Sequence, residues 1–313
     1  MVREQEFETK GGFITCREKE GHIEITGYRG QILEAVLPET IDGKCVTEIG
    51  KKAFLGCKAL RRVCVPDHCV RIGEWAFANC SNLEMVSLPC RKIAFGQGVF
   101  KDDKALRNIY TTEAEGFDTV RSSDTASDAS SHAAQTAALL AAAVGSMDAA
   151  YLLAPEDAGT KEWIEKWDLA MGAVLYEADE EGYQKMVLCG EEDLSINYDD
   201  FISQKRRKKA RLCLLRLLNP LGLSKERKAE LEGYVKEHTK GCESEAAWEV
   251  ILGEHGDDKV YFELFTSLGC VTEENFEGIL ADFGERHAPM KSYLMEFHEA
   301  GIRTHDFFDS LSL

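Results

Sequence analysis

The stretch that decides the fold of this chain is IGKKAFLGCKALRRVCVP at residues 49–66, which returns as IGEWAFANCSNLEMVSLP at residues 72–89. Eight landmark residues recur 23 positions apart in these two copies: Ile, Gly, Ala, Phe, Cys, Leu, Val and Pro. A third, weaker copy keeps Val99, Phe100, Leu106 and Ile109. A fixed period of about 20 to 29 residues with leucine-type landmarks is typical of a solenoid, in which each copy forms one coil.

Each copy contains an alternating segment that predicts a short strand, first at residues 60–66 and again 23 positions later. Side chains two positions apart in a strand share a face, so Val63 and Val65 are predicted to point inward together. Val86 and Leu88 repeat this pair in the second copy. Proline cannot donate to a continuing ladder, so the prolines of the motif are expected to end the strands. One coil cannot bury its own apolar face, and the core therefore forms only when neighbouring coils stack.

At these residues the chain resembles the BspA-like (treponemal-type) leucine-rich repeats. Their motif, Ile-Gly-x-x-Ala-Phe-x-x-Cys-x-x-Leu-x-x-Val-x-Leu/Val-Pro, stands complete in both copies. The resemblance covers about residues 10–112 and includes a predicted hairpin from Phe13 to Tyr28. It implies non-catalytic recognition of proteins or surfaces. The third copy departs from the motif, because Asp103 or a neighbour replaces the cysteine and no proline follows Ile109, so this copy is expected to be the fading end of the array.

The outward positions of the predicted strands form the candidate binding face of the solenoid. Residues between the buried ones point away from the core, and the repeat register stacks them from coil to coil. The face mixes charge, soft apolar groups and an aromatic ring, which suits a protein partner of unknown identity. It consists of Glu34, Val36, Arg62, Cys64, Met85, Ser87, Asn108 and Tyr110. The alternative is that helix 133–144 or the C-terminal domain covers this face.

The whole chain of 313 residues is expected to be an α+β protein with two domains. The predicted divisions are a leucine-rich repeat solenoid at 1–118, a linker or mobile loop at 119–132, and a mostly α-helical domain at 133–313. The linker prediction rests on segment 121–131, which is small and polar and has no large apolar side chain. In the helical domain, a soft 29-residue periodicity after residue 246 predicts ankyrin-like helical hairpins, with an irregular helical bundle as the alternative.

Helix signals divide the C-terminal part further. Residues 133–144 are rich in Ala and Leu, and their apolar character on all sides predicts a buried helix against the last coil. Thr160 and Ser224 are expected to cap the starts of two further helices. Thr272 is the predicted cap of a helix at 273–283.

The net charge of −18 argues against a general binder of nucleic acid or of anionic membranes. The polar N-terminus and the lack of an apolar run of about 18 residues predict neither a signal peptide nor a spanning helix. The cytoplasm is therefore the expected location, and association with a surface, as in other BspA-like proteins, is the alternative. No cofactor and no small-molecule ligand is expected.

The 11 cysteines are expected to be reduced thiols in that compartment. Cys57 and Cys80 fall on the repeat and are predicted to be buried as small apolar residues. Cys64 and Cys69 flank His68, which suggests zinc, but a structural zinc site needs four ligands and the sequence offers no second pair. No metal site is therefore predicted.

The one dense basic run of the chain is KRRKKAR at residues 205–211. It is expected to be a solvated face or to pair with acidic residues of its own domain, for which the clusters at 179–181 and 191–193 are candidates. The alternative is that the basic run makes the helical domain a nucleic-acid-binding or regulatory module.

Catalytic motifs are lacking, since the chain contains no His-Glu-x-x-His, Gly-x-Ser-x-Gly or Gly-x-x-x-x-Gly-Lys. The prediction is therefore that the protein is not an enzyme and has no catalytic residues. A hydrolase in residues 154–313 is the second alternative, and its nominated residues are His287, His298 and the carboxylates of 177–193.

Overall fold

The structure is a computed structural model of the chain, and the residues that it describes form two compact units. The described residues are 4–9, 12–31, 33–112, 131–183 and 197–310, with side chains up to residue 300. The first unit comprises Met1–Leu175 with Asn219–Gly222, and the second comprises Tyr176–Leu218 with Leu223–Leu313. All strands of the described part lie in the first unit.

The strands of the first unit are short, as the 23-residue period requires. They are β1 (Glu4–Thr9), β2 (Gly12–Lys19), β3 (His22–Gly30), β4 (Glu34–Val36), β5 (Thr40–Ile41), β6 (Lys44–Ile49), β7 (Arg62–Cys64), β8 (Arg71–Ile72), β9 (Met85–Pro89), β10 (Ala94–Phe95) and β11 (Asn108–Thr112). The predicted hairpin is β2 with β3. The predicted inward residues Val63, Val65, Val86 and Leu88 are all buried.

The strands form two sheets, which are two walls of a solenoid. One sheet has the order β1-β2-β3-β6-β8-β10, with β5 beside β6. Its strands β1 to β3 are antiparallel, and β3, β6, β8 and β10 pair in parallel. The other sheet is parallel throughout, in the order β11-β9-β7-β4. The predicted α+β class, a solenoid followed by helices, is confirmed.

An aromatic ladder inside the solenoid follows the repeat. Phe54, Phe77 and Phe100 occupy one position in successive coils, and Tyr28 extends the row. The ring centroids lie 5.3, 5.0 and 5.7 Å apart along the row, and each pair is stacked. Phe54 and Phe77 are fully buried. Burial of one such side chain stabilises the fold by about 1.5–3 kcal/mol, and the stacking adds to this.

Each coil turns at two positions where the backbone is left-handed. The first position is occupied by Lys52, Trp75 and Gly98, with φ of 60°, 52° and 61°. The second is occupied by Gly56, Asn79 and Asp102, with φ of 72°, 59° and 64°. Glycine adopts this conformation without steric cost and Asn or Asp tolerates it, whereas lysine and tryptophan are strained there.

The glycine of the motif is required because neighbouring coils approach closely at that point. A Cβ atom on Gly73 would lie 2.5 Å from the backbone nitrogen of Lys51. A Cβ atom on Gly96 would lie 2.4 Å from that of Glu74. Any side chain at these positions would push two backbones apart, which explains why glycine occupies this position in the second and third copies.

Helix α1 (His132–Gly145) packs against β11, the strand of the last coil. Its side chains Leu139 and Leu140 are fully buried. Ser131 caps its start, since the N–H of Ala134 donates to Ser131 Oγ over 3.2 Å. The prediction that segment 133–144 covers the last coil is confirmed.

Helix α2 (Lys161–Tyr176) is fastened to the preceding segments by two buried indole groups. Trp167 Nε1 donates to the carbonyl of Leu139 in α1, and Trp163 Nε1 donates to that of Leu152, both over 2.9 Å. The N–H of Trp163 donates to Thr160 Oγ over 3.3 Å, which confirms the predicted cap.

The first unit therefore extends past residue 118, where the repeat domain was predicted to end. Residues 133–175 lie in this unit because the apolar helix α1 covers the last coil and α2 is bonded to α1. The predicted linker at 119–132 lies outside the described residues except for its last two. That residues 1–118 fold as a separate domain stays a prediction.

The second unit is helical throughout its described part. Its helices are α3 (Tyr198–Leu218), α4 (Lys225–Glu237), α5 (Ala246–Glu254), α6 (Lys259–Ser267), α7 (Phe276–Phe283) and α8 (Ala288–Ser310). Trp248 is fully buried, and its ring contacts Phe262, Phe265 and Phe283 with centroids 5.6 to 6.3 Å away. Its indole N–H donates to Asp282 over 2.7 Å. These contacts join α5, α6 and α7 around one side chain.

The helix starts of the second unit test two predictions. The predicted cap Ser224 is confirmed, since its Oγ accepts from the N–H of Arg227 over 3.1 Å. The predicted cap Thr272 is wrong, because residues 273–275 form a turn and α7 begins at Phe276. The side chain of Asn275 holds this turn by accepting from the N–H of Thr272 and donating to the carbonyl of Cys270, both over 2.9 Å. The ankyrin-like character of these helices stays a prediction.

Candidate partner-binding face

The eight residues predicted for the sheet face lie on the parallel sheet in two ladders. The first ladder pairs Glu34 with Arg62, Arg62 with Met85, and Met85 with Asn108. The second ladder pairs Val36 with Cys64, Cys64 with Ser87, and Ser87 with Tyr110. We call these eight residues the ladder face. The structure therefore brings all of the predicted positions together, each beside its counterpart on the next strand.

The ladder face is most open at β4, the strand at one end of the parallel sheet. Glu34 and Val36 are exposed there, with 55% of Val36 accessible to solvent. Most of the remaining face residues are half-buried, and Ser87 is 2% exposed. Among the described residues, β4 pairs with β7 alone, whereas β11 at the other end contacts α1. Helix α1 thus contacts the strand at one end, and the face remains accessible at the other end.

The ladder face contains one ion pair and two further ionisable side chains. Arg62 Nη1 lies 3.4 Å from Glu34 Oε1, so the only two ionic groups of the face are adjacent. Burial raises the pKa of Cys64 to about 11, and its thiol hydrogen bonds with Ser87. Burial also raises the pKa of Tyr110. At neutral pH the face therefore presents a neutral thiol and a neutral phenol beside one ion pair.

The sequence reasoning missed an apolar residue and a charged row beside the face. Leu33 is 57% exposed directly before β4, where strand alternation does not reach. Arg61, Glu84 and Arg107 lie one residue before β7, β9 and β11, and Arg61 is 3.9 Å from Glu84. Their spacing of 23 residues was the signal that could have found this row.

The basic run at 205–211 lies on α3, and five of its six cations pair with carboxylates of the second unit. The pairs are Lys205–Glu177 (2.6 Å), Arg206–Asp179 (2.7 Å), Arg207–Glu249 (3.1 Å), Lys209–Asp179 (2.7 Å) and Arg211–Glu254 (2.5 Å). Burial raises the pKa of Asp179, but the hydrogen bonds from Arg206 and Lys209 outweigh it and hold that pKa below its usual range. The prediction that the run pairs within its own domain is confirmed for these five cations, with Asp179 of the cluster at 179–181 among the partners. The cluster at 191–193 lies outside the described residues.

The positions of the nominated side chains do not support the zinc hypothesis or the hydrolase hypothesis. Among the described residues, no three His, Cys, Asp or Glu side chains are arranged to hold a metal ion. Cys69 is buried with its thiol 3.4 Å from the carbonyl of Arg71, and His68 lies 3.4 Å from Glu39. His298 Nε2 lies 2.9 Å from Glu273 and stacks on a phenylalanine ring. His287 Nδ1 lies 2.9 Å from Asp257, outside hydrogen-bonding geometry.

Comparison with known proteins agrees with the repeat. Residues 35–123 match the model of the BspA type leucine rich repeat region, in six copies. This segment is therefore a BspA-type leucine-rich repeat region. No protein with a curated description matches the chain.

Three solved structures are similar to the repeat region of this chain. A leucine-rich repeat protein of Treponema pallidum is 26% identical over 36% of this chain and 66% of its own, with a TM-score of 0.27. A leucine-rich cell surface protein of Faecalibacterium prausnitzii is 22% identical over 34% of this chain and 30% of its own, with a TM-score of 0.28. A leucine-rich repeat protein of Bacteroides capillosus is 22% identical over 34% of this chain and 98% of its own, with a TM-score of 0.26. The chain thus spans somewhat less than two thirds of the treponemal protein and less than a third of the Faecalibacterium protein.

None of the described helices combines the length with the apolar composition that crossing a bilayer requires.

Proposed function

We propose that this protein is a non-catalytic binding protein that holds a protein partner on the ladder face. Leucine-rich repeat regions are generally protein-interaction modules, and residues 35–123 are such a region. The observation that carries the proposal is the register of the parallel sheet, which aligns the eight residues in two rows over four strands, with all of them except the buried Ser87 at least partly exposed. A solenoid brings no chemistry of its own, so its function depends on what its surface can hold.

The chemistry of the ladder face supports a protein ligand. Interfaces are enriched in arginine, methionine and tyrosine at their energetically important centre. Arg62, Met85 and Tyr110 supply these three types, and all three are half-buried, which reduces the entropy lost when a partner fixes them. Exposed Leu33 and Val36 add apolar surface at the open end.

The size of the ladder face favours an extended segment or a loop of the partner. Four strands spaced by about 4.8 Å make each row about 14 Å long. A row of this length matches a few residues of extended chain, each rising about 3.3 Å. A small contact of this kind is typical of transient recognition rather than of a permanent complex.

The test is site-specific photo-cross-linking in the full chain. Benzoylphenylalanine would replace Val36 on the face or, as the matched control, Val70, which is 46% exposed in the same unit but outside the ladders. We expect one protein of a host lysate to cross-link from position 36 and not from 70. Purified, that protein should then bind the unmodified chain and lose affinity for the double variant Arg62→Glu, Tyr110→Ala.

Two results would contradict the proposal. Equal cross-linking from positions 36 and 70 would mean that contact with the face is not specific. Full binding by the double variant, with an unchanged melting temperature to show that it is folded, would move recognition to another surface, the second unit included.

A further inference from the structure

The cysteine of the repeat motif places two thiols side by side in adjacent coils. Cys57 and Cys80 lie 23 residues apart, and the coil-to-coil hydrogen bond from Gly56 to the carbonyl of Ala78 (2.9 Å) aligns the residues just before them. The thiol of Cys80 and the N–H of Cys57 both donate to the carbonyl of Phe54, over 3.1 and 3.2 Å. Both cysteines are thus held at one carbonyl group, which places them next to each other on two stacked coils.

The two thiols differ in accessibility and in acidity. Cys57 is half-buried, whereas Cys80 is fully buried. The neighbouring Cys80 lowers the pKa of Cys57, whereas the neighbouring Cys57 and burial raise the pKa of Cys80. Among the described cysteines with a shifted pKa, Cys57 alone is shifted downward. A half-buried thiol whose pKa is lowered, beside a fully buried thiol, is the arrangement of an attacking and a resolving cysteine.

The third coil ends this thiol row. Asp103 stands at the cysteine position there, 6% exposed, and its Oδ1 accepts from the N–H of Cys80 over 2.8 Å. A carboxyl group cannot take part in disulfide exchange. Cys80 therefore has one thiol neighbour in the row, Cys57.

We propose that Cys57 and Cys80 form a peroxide-responsive pair, in which Cys57 is oxidised first and Cys80 closes a disulfide between adjacent coils. In the first step the thiolate of Cys57 attacks hydrogen peroxide, an S–O bond forms, the O–O bond breaks and hydroxide leaves. In the second step the sulfur of Cys80 attacks Cys57 Sγ, the S–S bond forms, the S–O bond breaks, and the hydroxyl leaves as water with the proton of Cys80. The hydroxide of the first step takes up the proton that Cys57 has lost. Two thiols are thus oxidised by two electrons while one peroxide becomes two waters.

The spacing of the coils is compatible with this cross-link. A disulfide joins residues whose Cα atoms are about 4.4–6.8 Å apart, and neighbouring hydrogen-bonded strands are spaced by about 4.8 Å. The bond would tie two coils that are already adjacent, so oxidation requires no rearrangement of the array. We expect the oxidised protein to melt at a higher temperature than the reduced protein, because the cross-link restricts the unfolded chain.

The experiment uses the reduced full chain, treated with hydrogen peroxide and then with N-ethylmaleimide. Digestion and mass spectrometry should find Cys57 linked to Cys80. Since Cys80 and Cys90 fall between the same two tryptic sites, the assignment is repeated in Cys90→Ser. In Cys80→Ser, dimedone should trap a sulfenic acid on Cys57 that does not accumulate in the wild type.

Cys45 is the matched control, because it is half-buried in the same unit. In the reduced wild type, Cys57 should react with N-ethylmaleimide several-fold faster than Cys45. This rate and the disulfide map do not depend on Cys80→Ser, so they decide the matter even where that variant does not fold. Equal rates at the two positions, or a peroxide-induced disulfide that joins other cysteines, would overturn the proposal.

Discussion

Aromatic side chains of the repeat contact their own counterparts one coil away, whereas the ion cluster of the second unit joins side chains of different kinds. Phe77 lies between Phe54 and Phe100 in the aromatic ladder. Asp179 in the second unit lies between Arg206 and Lys209, with no such repetition. Removal of a ring from the aromatic ladder therefore affects the coils on both sides. Removal of a charge from the ion cluster affects only the side chains that pair with it. The two units should respond differently to substitution and to pH.

The largest expected effect is that of breaking the aromatic ladder. Phe77→Ala removes a fully buried ring between two others and should lower the free energy of unfolding by about 3–5 kcal/mol. Urea denaturation followed by circular dichroism measures the loss. Phe13→Ala is the control, because Phe13 is 39% exposed, and should cost less than about 1 kcal/mol. Equal losses in the two variants would show that the ladder has no special role.

The second expected effect concerns the ion cluster of the second unit. Asp179→Asn leaves the buried Lys209 without its carboxylate and should cost about 2–3 kcal/mol at pH 7. The folded-state pKa of Asp179 is lowered, so its stabilisation is present above the unfolded pKa of about 3.9 and is lost as the pH falls through the folded value.

The control for this cluster is Glu254→Gln, which breaks the more exposed pair with Arg211 and should cost less than about 1 kcal/mol. Denaturation curves at several pH values compare the two variants with the wild type. A difference between Asp179→Asn and the wild type that persisted unchanged in strong acid would exclude the ion pair as its cause.

The third expected effect has the opposite pH dependence and belongs to the first unit. Burial raises the pKa of Asp103 to about 8, and its Oδ2 is buried without a hydrogen-bond partner. A raised carboxyl pKa means that stability is full below the unfolded value of about 3.9 and falls as the pH rises to about 8. Asp103→Asn imitates the protonated acid, so at pH 9 it should be about 2 kcal/mol more stable than the wild type.

Near pH 4 the wild type and Asp103→Asn should be similar in stability. Asp102→Asn is the matched control, since Asp102 is exposed beside it, and most of the pH dependence should survive in that variant. Thermal unfolding of the wild type and the two variants at several values between about pH 4 and pH 9 measures these differences in stability. A wild type that gains stability with rising pH relative to Asp103→Asn would contradict the assignment.

The smallest expected effect is a gain in stability at a strained turn. Lys52 has φ of 60° at the position that glycine occupies in a later coil as Gly98. Lys52→Gly relieves this strain, but glycine also gives the unfolded chain more entropy, which offsets part of the gain. The variant should therefore be more stable than the wild type by about 0.5–1 kcal/mol. Lys51→Gly, next to it with ordinary backbone, should instead destabilise. A loss in both variants would show that the strain at Lys52 is already compensated by its contacts.

The sequence predicted most of the first unit because the same interaction recurs there at a fixed spacing. The period alone located the ladder face, the buried valines and the need for a cover on the last coil. It did not locate the turns at Lys52 and Trp75, since residues other than glycine occupy them. In the second unit the pairing of Asp179 with the basic run could be expected from charge, but the partners of Arg207 and Arg211 could not. They lie about 40 residues away with no repeated spacing to indicate them.

A coil that hydrogen bonds only to its two neighbouring coils can be duplicated without changing either end of the solenoid. Trp75 and Phe77 donate through their backbone to the following coil over 3.0 Å, just as Lys52 and Phe54 donate to theirs. A tandem duplication of residues 67–89 would therefore fit between the existing coils, with the hairpin of β2 and β3 at one terminus and α1 at the other. Each duplication would lengthen the ladder face by about 4.8 Å and contribute one more Met and Ser to it. Genetic duplication can thus change the length of the ladder face in steps of one coil.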